Sequence, residues 1–386
     1  MAMPMRGIET KLIHAGERRP RIEGAVATPI FQSSTFAYEG QTDYHDLKYI
    51  RLSNTPNHEV LHARLAALEG AERALVASSG MAAISAALIT VVGGGGHMLA
   101  QDCLYGGTHD LLTQDFPRLG IEVDFIDVNE PATWREALKS NTKAIYVETI
   151  SNPLMQVGDL IAAVDFARQH KLVSMVDNTF ASPINFRPHE AGFDLSLHSA
   201  TKYLNGHNDI VAGAAIGRGA LIRSIKRTLD HLGGVLDPHA CFLLERGLKT
   251  LAVRVRYQNE SALKLARFLE QHRAIARVNY PGLESHPGNL RAGELFDGFG
   301  AMLSFELSGG VVAAERFLAR VTIPIVAPSL GGVESLITRP AITSHGGMSR
   351  NDRERAGISD ALIRLSVGLE ASGDLIEDFE AALAGS

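Results

Sequence analysis

The middle of the chain alternates between two hydrophobic periods, and no other feature of the sequence constrains the fold as much. Short apolar runs typical of strands are HMLAQD, IEVDFIDV, TKAIYVETI, KLVSMVDNT and LSLHSATKY. Longer stretches with a helical period lie among them, namely LYGGTHDLLTQDFPRLG, PATWREALKS and GDLIAAVDFARQHK. Strands that alternate with helices form βα units, so we predict an α/β fold with a mostly parallel sheet flanked by helices.

The character of the sequence changes along the chain and divides it into three regions. Residues 1–50 are polar and weakly periodic, which indicates an N-terminal arm that packs against another surface. Residues 51–245 contain the alternation and form the predicted large domain. Residues 246–386 combine AMLSFELSGGVVAAERFLARV with ALIRLSVGLEASGDLIEDFEAAL, which predicts a smaller C-terminal α/β domain. At 386 residues the chain exceeds one typical core, which favours more than one domain.

Composition excludes several classes of function. The net charge is −6 and no basic tract occurs, so we expect no nucleic-acid partner. The only cysteines, Cys103 and Cys241, cannot form a disulfide framework, and no histidine has the spacing of a metal site. The N-terminal MAMPMRGIETKLIHAGERRPR lacks the apolar core of a signal peptide, and no membrane-length apolar run follows. We therefore expect a cytoplasmic protein without membrane segments.

Two glycine-containing stretches are candidates for phosphate binding. GGGG at 93–96 lacks the spacing of a dinucleotide or nucleotide loop, and we interpret it as a turn. SSGMAAI at 78–84 places small residues before a helix, where free backbone N–H groups bind anions. An ordinary N-cap would have the same sequence, so this motif alone leaves both interpretations open.

Two charged residues follow predicted strands. Asp177 in VDNTF ends an apolar run, and ligands bind at the carboxyl ends of strands in open parallel sheets. An N-cap for the next helix is the alternative. Lys202 in SATKY has Ser199 and Thr201 beside it; alone, it is more typical of a solvated lysine. Together with the helix start at Gly80, these residues are the parts that a pyridoxal phosphate site requires: an acid, an amine and a phosphate cradle.

Ordered motifs along the whole chain carry a resemblance to a known family. These motifs are ATPIFQSSTF, VETISNP, VDNTFASP, SATKYLNGH, RGLKTLAVR, SLGGVESL and GISDALIRLSVGLE. With them the chain resembles the pyridoxal-phosphate enzymes of cysteine and methionine metabolism, which include cystathionine γ-lyase, cystathionine γ-synthase, cystathionine β-lyase and methionine γ-lyase. The resemblance implies the fold-type I architecture of the aspartate-aminotransferase-like enzymes and pyridoxal 5′-phosphate as cofactor.

The resemblance also implies a role for each matching residue. Lys202 would form the Schiff base and then move protons, and Asp177 would keep the ring nitrogen protonated. Arg364 in LIRLSVG would bind the α-carboxylate with help from Ser329, a task that suits a planar cation. The remaining implied contacts are Ser199, Thr201, Gly80 and Met81 at the phosphate, Tyr105 on the ring face and near the leaving group, Asn152 near the ring oxygen and the substrate carboxylate, and Thr179 as a weaker cofactor contact.

Tyr49 and Arg51, in KYIRLSN, match a Y-x-R pair that in the family reaches the phosphate of a neighbouring subunit. This match accounts for the N-terminal arm and implies catalytic dimers that pair as a homotetramer. The surrounding sequence departs from the family, because LSNTPN replaces the usual S-G-N-P-T and Ser53 stands in place of the glycine. The departure predicts a local backbone that differs from the family's.

The shared motifs do not choose among the family's reactions. We favour a lyase that works by γ-elimination and releases a 2-oxo acid and ammonia. The alternatives are γ-replacement on an O-substituted homoserine, β-elimination, and a γ-lyase for a cationic-tail amino acid such as canavanine. A non-catalytic pyridoxal-phosphate protein is disfavoured by the presence of Lys202, Tyr105 and Arg364. A dinucleotide-dependent dehydrogenase is disfavoured because no G-x-G-x-x-G motif occurs.

Three positions bear on the substrate's tail. Cystathionine-handling members usually carry an arginine where this chain has Asp110, and many carry a glutamate where it has Pro328. Methionine γ-lyases usually have a cysteine at the position of Gly107. Near the tail, Asp110 would disfavour a distal carboxylate and favour a cation. On the alternative interpretation Asp110 faces solvent, and Pro328 only constrains its loop.

Overall fold

Two β-sheets organise the chain in the computed structural model, which describes residues 5–384. Within these residues the larger sheet has seven strands: β1 Arg73–Ala77, β2 His97–Gln101, β3 Glu122–Ile126, β4 Thr142–Glu148, β5 Val173–Asp177, β6 Leu195–His198 and β7 Gly213–Gly217. They lie in the order β1-β7-β6-β5-β4-β2-β3. All neighbouring pairs are parallel except those that involve β7. The predicted α/β fold with a mostly parallel sheet is confirmed.

Helices cover both faces of this sheet. The helices of this region are α1 Ile8–His14, α2 Pro56–Glu69, α3 Gly80–Val92, α4 Gly106–Asp110, α5 Leu160–His170, α6 Ser182–Asn185 and α7 Gly219–Leu232. α3 and α7 pack in one apolar cluster with Met98 and Ala100 of β2, whereas α2 and α5 pack in another with Leu99. Successive strand residues therefore enter opposite layers, as a strand buried on both faces requires.

The second sheet lies between residues 275 and 366. Its strands are β8 Ile275–Asn279, β9 Met302–Leu307, β10 Ile325–Val326, β11 Leu336–Thr338 and β12 Ile363–Ser366, in the order β10-β11-β12-β9-β8. The accompanying helices are α8 Pro238–Leu248, α9 Leu251–Gln271, α10 Asn289–Leu295, α11 Gly310–Leu318, α12 Arg350–Arg355 and α13 Ser372–Leu383. Phe305 of β9 packs against Phe317 and Phe379 of α11 and α13. The division of the chain near residues 50 and 245 stays a prediction.

Some predicted elements differ from those in the structure. The stretch EVLHARLAALEGAERAL begins with a helical apolar period, but α2 ends within it at Glu69, because Gly70 adopts a left-handed conformation (φ 68°) and β1 begins at Arg73. The stretch PATWREALKS forms a 3₁₀ helix, Pro131–Ala137, whose Trp134 is fully buried and donates from its indole N–H to the Asp127 carbonyl at 2.7 Å. This anchor holds a tight turn in place of an α-helix.

The N-terminal arm is mostly irregular after α1. Short 3₁₀ turns occupy Ile22–Gly24, Tyr44–Asp46 and Ile50–Leu52. Large apolar side chains on the arm are exposed, among them Val26 and Tyr38 at 82% and 71%. Over residues 5–384, no helix has both the length and the apolar character that crossing a membrane requires.

Candidate active site

A cavity of about 790 Å³ lies where the carboxyl ends of β4, β5 and β6 approach β12 and the loop before β11. Cavities at strand ends are the usual ligand sites of such sheets. Most of the residues predicted for the site line this cavity: Gly80, Met81, Tyr105, Asp110, Asn152, Asp177, Thr179, Ser199, Thr201, Lys202, Ser329 and Arg364. The fold therefore brings together residues that are distant in sequence, whereas Tyr49 and Arg51 lie outside this cavity.

Lys202 follows β6 in a tight turn, with its backbone N–H donating to the Ser199 carbonyl at 3.1 Å. Its ammonium donates to the Ser329 hydroxyl at 2.7 Å. Burial lowers the pKa of Lys202 to about 8, with a smaller contribution from the charge of Arg364. A lysine in this state has an appreciable neutral fraction at neutral pH, which is the reactive form of an amine.

Asp177 is the last residue of β5, and its carboxylate is buried. One oxygen accepts hydrogen bonds from the Thr179 backbone N–H at 2.9 Å and from the Thr179 hydroxyl at 2.5 Å. Burial raises the pKa of Asp177, whereas these hydrogen bonds act to lower it. Thr179 thus holds Asp177 in place, and the Thr179 hydroxyl also accepts the Ser199 backbone N–H at 2.8 Å, so it joins β5 to the Lys202 turn.

The start of α3 forms a concave surface of backbone atoms. Ser79 caps this helix by accepting the Ala82 N–H at 3.0 Å, and Gly80 follows without a side chain. A Cβ at Gly80 would lie 2.9 Å from both Cα and Cβ of Ser199. Free N–H groups at the start of a thirteen-residue helix, with the Ser199 and Thr201 hydroxyls also lining the cavity, are suited to an anion.

Arg364 is buried on β12 and faces the cavity from the second sheet. Its guanidinium donates to the Asn152 side-chain oxygen at 2.9 Å and to the Ser329 carbonyl at 3.2 Å. Burial lowers the pKa of Arg364 to about 10. Among the side chains that the structure describes, no carboxylate forms an ion pair with it, so the guanidinium is a fixed cation that a ligand's carboxylate can neutralise.

Glu148 is a site residue to which the sequence analysis gave no role. It ends β4, lines the cavity, and accepts the Tyr105 backbone N–H at 2.7 Å. Burial raises the pKa of Glu148 well above its usual value, and the charge of Asp177 adds to this effect. The sequence VETISNP could have indicated Glu148, because an acid there ends an apolar strand as Asp177 does. Thr343, Ser344 and Gly347, which also line the cavity, come from a loop without a distinctive sequence pattern.

Asp110 and Pro328 both line the cavity. Asp110 is the last residue of α4, and its side chain is 63% exposed. Neither of the two interpretations of Asp110 is therefore complete, because the carboxylate borders the cavity and also contacts solvent.

Tyr49 and Arg51 lie away from this cavity within the same chain. The Arg51 guanidinium donates to the Asp230 carbonyl at 2.7 Å and to the Tyr44 hydroxyl, and it lies over the rings of Tyr44 and Tyr49. Ser53, which replaces the family's glycine, adopts a left-handed conformation (φ 49°). The backbone thus keeps a conformation that glycine favours, although the glycine is absent.

Comparison with known proteins adds a second line of evidence. A family model described as "Cys/Met metabolism PLP-dependent enzyme" matches residues 9–384. A cystathionine β-lyase of Bacillus subtilis is 41% identical, over 97% of this chain and 96% of the relative. An L-methionine γ-lyase of Fusobacterium nucleatum subsp. nucleatum is 40% identical, over 99% of each chain.

Solved structures agree with these relatives. The structure of cystathionine γ-lyase from Lactobacillus plantarum, complexed with L-serine, superposes with a TM-score of 0.93 at 37% identity, covering 98% of this chain and 99% of its own. That of cystathionine γ-synthase from Xanthomonas oryzae pv. oryzae, with cystathionine, gives 0.94 at 38% identity, covering 99% and 98%. The chain therefore belongs to the pyridoxal-phosphate-dependent enzymes of cysteine and methionine metabolism.

Proposed function

We propose that the chain is a pyridoxal-phosphate-dependent lyase of sulfur amino-acid metabolism that eliminates the γ-substituent of its substrate and releases a 2-oxo acid and ammonia. The observation that carries this proposal is the series of contacts from the Lys202 amine through Ser329 to the Arg364 guanidinium. This arrangement suits an α-amino acid, whose carboxylate binds Arg364 while its α-carbon lies near Lys202.

The residues that line the cavity fit the chemistry of the cofactor. The phosphate would be held by the backbone at Gly80 and Met81 and by the hydroxyls of Ser199 and Thr201. A side chain at Gly80 would clash with Ser199, so the close approach of the two segments requires glycine there. We assign Asp177 to the ring nitrogen, Tyr105 to the ring face and Asn152 to the region between ring and substrate carboxylate. Thr179 supports this set through its hydrogen bonds to Asp177.

Pyridoxal phosphate, when bound, supplies an aldehyde for the substrate's amine and a ring that accepts electrons from the α-carbon. Lys202 then moves protons at the substrate's α- and β-carbons, a role that its lowered pKa of about 8 favours. We assign Tyr105 to proton donation toward the departing thiolate. Arg364 holds the carboxylate throughout and so keeps the α-carbon beside Lys202.

One observation favours a second candidate, a γ-lyase for an amino acid with a cationic tail such as canavanine. Apart from Lys202 and Arg364, no arginine or lysine of the described chain lines the cavity, whereas Asp110 does. A distal carboxylate, as in cystathionine, would therefore find an acid in this subunit and no further cation. Because the Asp110 side chain is 63% exposed, its charge shifts the preference by about 1 kcal/mol, roughly fivefold.

A parallel substrate panel tests the reaction type. Purified enzyme receives cystathionine, methionine, canavanine, and O-succinylhomoserine with cysteine, and 2-oxobutanoate, homoserine, pyruvate and thioether products are measured. We expect 2-oxobutanoate from a thioether substrate, with activity lost in Lys202→Ala. Pyruvate alone would instead indicate β-elimination, and a thioether formed from O-succinylhomoserine would indicate γ-replacement. A protein that takes up no pyridoxal phosphate would contradict the whole proposal.

Charge reversal at Asp110 tests the substrate preference. Asp110→Arg is expected to raise kcat/KM for cystathionine relative to canavanine by about 25-fold, about fivefold for each unit of charge, because attraction replaces repulsion of the distal carboxylate. Asp115→Arg is the matched control, since Asp115 has a similarly exposed side chain (58%) but does not line the cavity. Equal ratios in the two variants would remove Asp110 from the determinants of specificity.

The arm supports a proposal about assembly. We propose that Tyr49 and Arg51 reach the phosphate of a neighbouring subunit, so that the enzyme works as catalytic dimers that pair as a tetramer in the cytoplasm. The exposed apolar residues of the arm and the position of Tyr49 and Arg51 outside their own cavity support this arrangement.

A further inference from the structure

Two carboxyl groups lie side by side at the bottom of the cavity. Glu148 and Asp177 end the neighbouring parallel strands β4 and β5, and they are register partners. Paired positions of adjacent strands project their side chains to the same face of the sheet. Both residues line the cavity, and they are only 5% and 9% exposed. The two groups therefore share one poorly solvated environment.

Within residues 5–384 the surroundings supply hydrogen bonds to this pair but no ion pair. Asp177 accepts two hydrogen bonds from Thr179 and a longer one from the Tyr146 hydroxyl at 3.5 Å. Glu148 accepts one, from the Tyr105 backbone N–H. The nearby cation, Lys202, donates to Ser329 instead. Among the described residues, the other titratable groups that act on the pair are Cys103 and Tyr146, both neutral at pH 7, and His198, whose charge acts to lower the pKa of Asp177.

This asymmetry decides which carboxyl group carries a proton. Two like charges in adjacent buried positions cannot both persist at neutral pH, so the pair binds a proton. The ionised form is favoured at the carboxyl group with more donors, which is Asp177. Glu148 is then the neutral partner, with one oxygen on the Tyr105 amide and its O–H available within the cavity.

We propose that Glu148 is a positioning residue that works as a neutral carboxylic acid, fixing the Tyr105 backbone while leaving Asp177 as the single negative charge at the ring-nitrogen end of the cavity. The positioning role rests on the proposed function, because it assumes that the Tyr105 ring covers the cofactor. A second negative charge at Glu148 would compete with Asp177 for the one positive charge of the ring. A neutral acid keeps the Tyr105 contact without that competition.

Infrared spectroscopy of the cofactor-free protein tests the protonation directly. At pH 7 we expect the carbonyl band of a protonated carboxylic acid, and we expect Glu148→Gln to remove it. Asp110→Asn is the control, because Asp110 also lines the cavity but is largely exposed, so its loss should leave the band intact. Absence of the band, or its survival in Glu148→Gln, would overturn the assignment whatever the enzyme's substrate.

Cofactor affinity tests the positioning role. Glu148→Ala leaves the part-buried hydrogen bond from the Tyr105 amide without its acceptor, so the dissociation constant for pyridoxal phosphate should rise by about tenfold. Glu148→Gln restores a neutral acceptor and should recover the affinity to within about threefold. The proposal would be contradicted if Glu148→Gln bound pyridoxal phosphate as weakly as Glu148→Ala and if its binding depended on pH differently from that of the wild type. That result would show that binding needs the negative charge of Glu148.

Thermal unfolding of the variants separates these outcomes from misfolding. Glu148→Gln is nearly isosteric, so the comparison stays informative even where Glu148→Ala does not fold. A wild-type protein that binds no pyridoxal phosphate would refute the proposed function, whereas the infrared result would still stand.

Discussion

Lys202 is half-buried in the cavity that Arg364 also lines, and this placement determines its reactivity. A pKa near 8 in place of 10.5 raises the neutral fraction at pH 7 from about one in three thousand to about one in ten. The flanking Ser199 and Thr201 marked Lys202 as a candidate in the sequence. Its burial and the position of Arg364, which is 162 residues further along the chain, required the folded structure.

The shifted pKa of Lys202 predicts a pH-dependent stability in the cofactor-free protein. The folded pKa, about 8, is lower than the usual 10.5, so between these values the unfolded chain binds more protons. The free energy of unfolding should therefore rise with pH across this window, by about 3 kcal/mol, and the penalty should be fully present below pH 8. Denaturant titrations from pH 7 to pH 10.5 measure this rise.

Lys202→Met is expected to remove the pH-dependent rise and to stabilise the cofactor-free protein at pH 7. Lys264→Met, which changes an exposed lysine on α9, is the control and should keep the wild-type slope. Equal slopes in the two variants would show that Lys202 is not the group responsible.

Strand ends were the part of the fold and site that the sequence predicted best. The mostly apolar runs that end at Asp177 and at His198 correspond to β5 and β6, because a strand buried on both faces is largely apolar. Glu148 ends β4 in the same way, but one acid gives no sign that another lies beside it until strand pairing is known. β7 was not predicted, since GAAIG is short and small, and its antiparallel place between β1 and β6 depends on pairing alone.

The start of α3 depends on Gly80 having no side chain. In Gly80→Ala, the new Cβ would lie 2.9 Å from Ser199 Cα, a backbone atom that cannot rotate away. We expect a loss of about 1–3 kcal/mol in stability and a cofactor dissociation constant at least tenfold higher, because the Lys202 turn must shift. Chemical denaturation and equilibrium dialysis against pyridoxal phosphate measure the two effects.

Gly293→Ala provides the control for this element. Gly293 lies in α10, where a Cβ would meet no neighbouring atom within 4 Å and the φ angle is not positive, so alanine should be neutral or stabilising by up to about 1 kcal/mol. If Gly80→Ala bound the cofactor as tightly as Gly293→Ala does, α3 would not form the phosphate cradle.

At the scale of the whole molecule, the arm is the least self-sufficient part of the chain. Its ordered contacts include the Asn57 side chain, which bonds Pro29 and Phe31, and the Arg51 contact with Asp230. Large side chains such as Val26 and Tyr38 nevertheless remain exposed on it. Weak periodicity in the first fifty residues predicted a segment without a core of its own. Periodicity could not show which surface covers it; the prediction of a neighbouring subunit came only from the match of Tyr49 and Arg51 to the family's Y-x-R pair.

Mixed oligomers test whether Arg51 acts on a neighbouring subunit. The Lys202→Ala and Arg51→Ala variants should each have low activity when expressed alone. When the two are co-expressed, some dimers contain one site with an intact Lys202 from one subunit and an intact Arg51 from the other. Random pairing restores such a site in one of four positions, so activity should reach about a quarter of the wild-type value. Co-expressed Lys202→Ala and Asp177→Asn, which both alter the cavity of their own subunit, should show no recovery. Activity no higher than that of the single variants would contradict a contribution of Arg51 to a neighbouring subunit's site, because complementation requires a contribution across the interface.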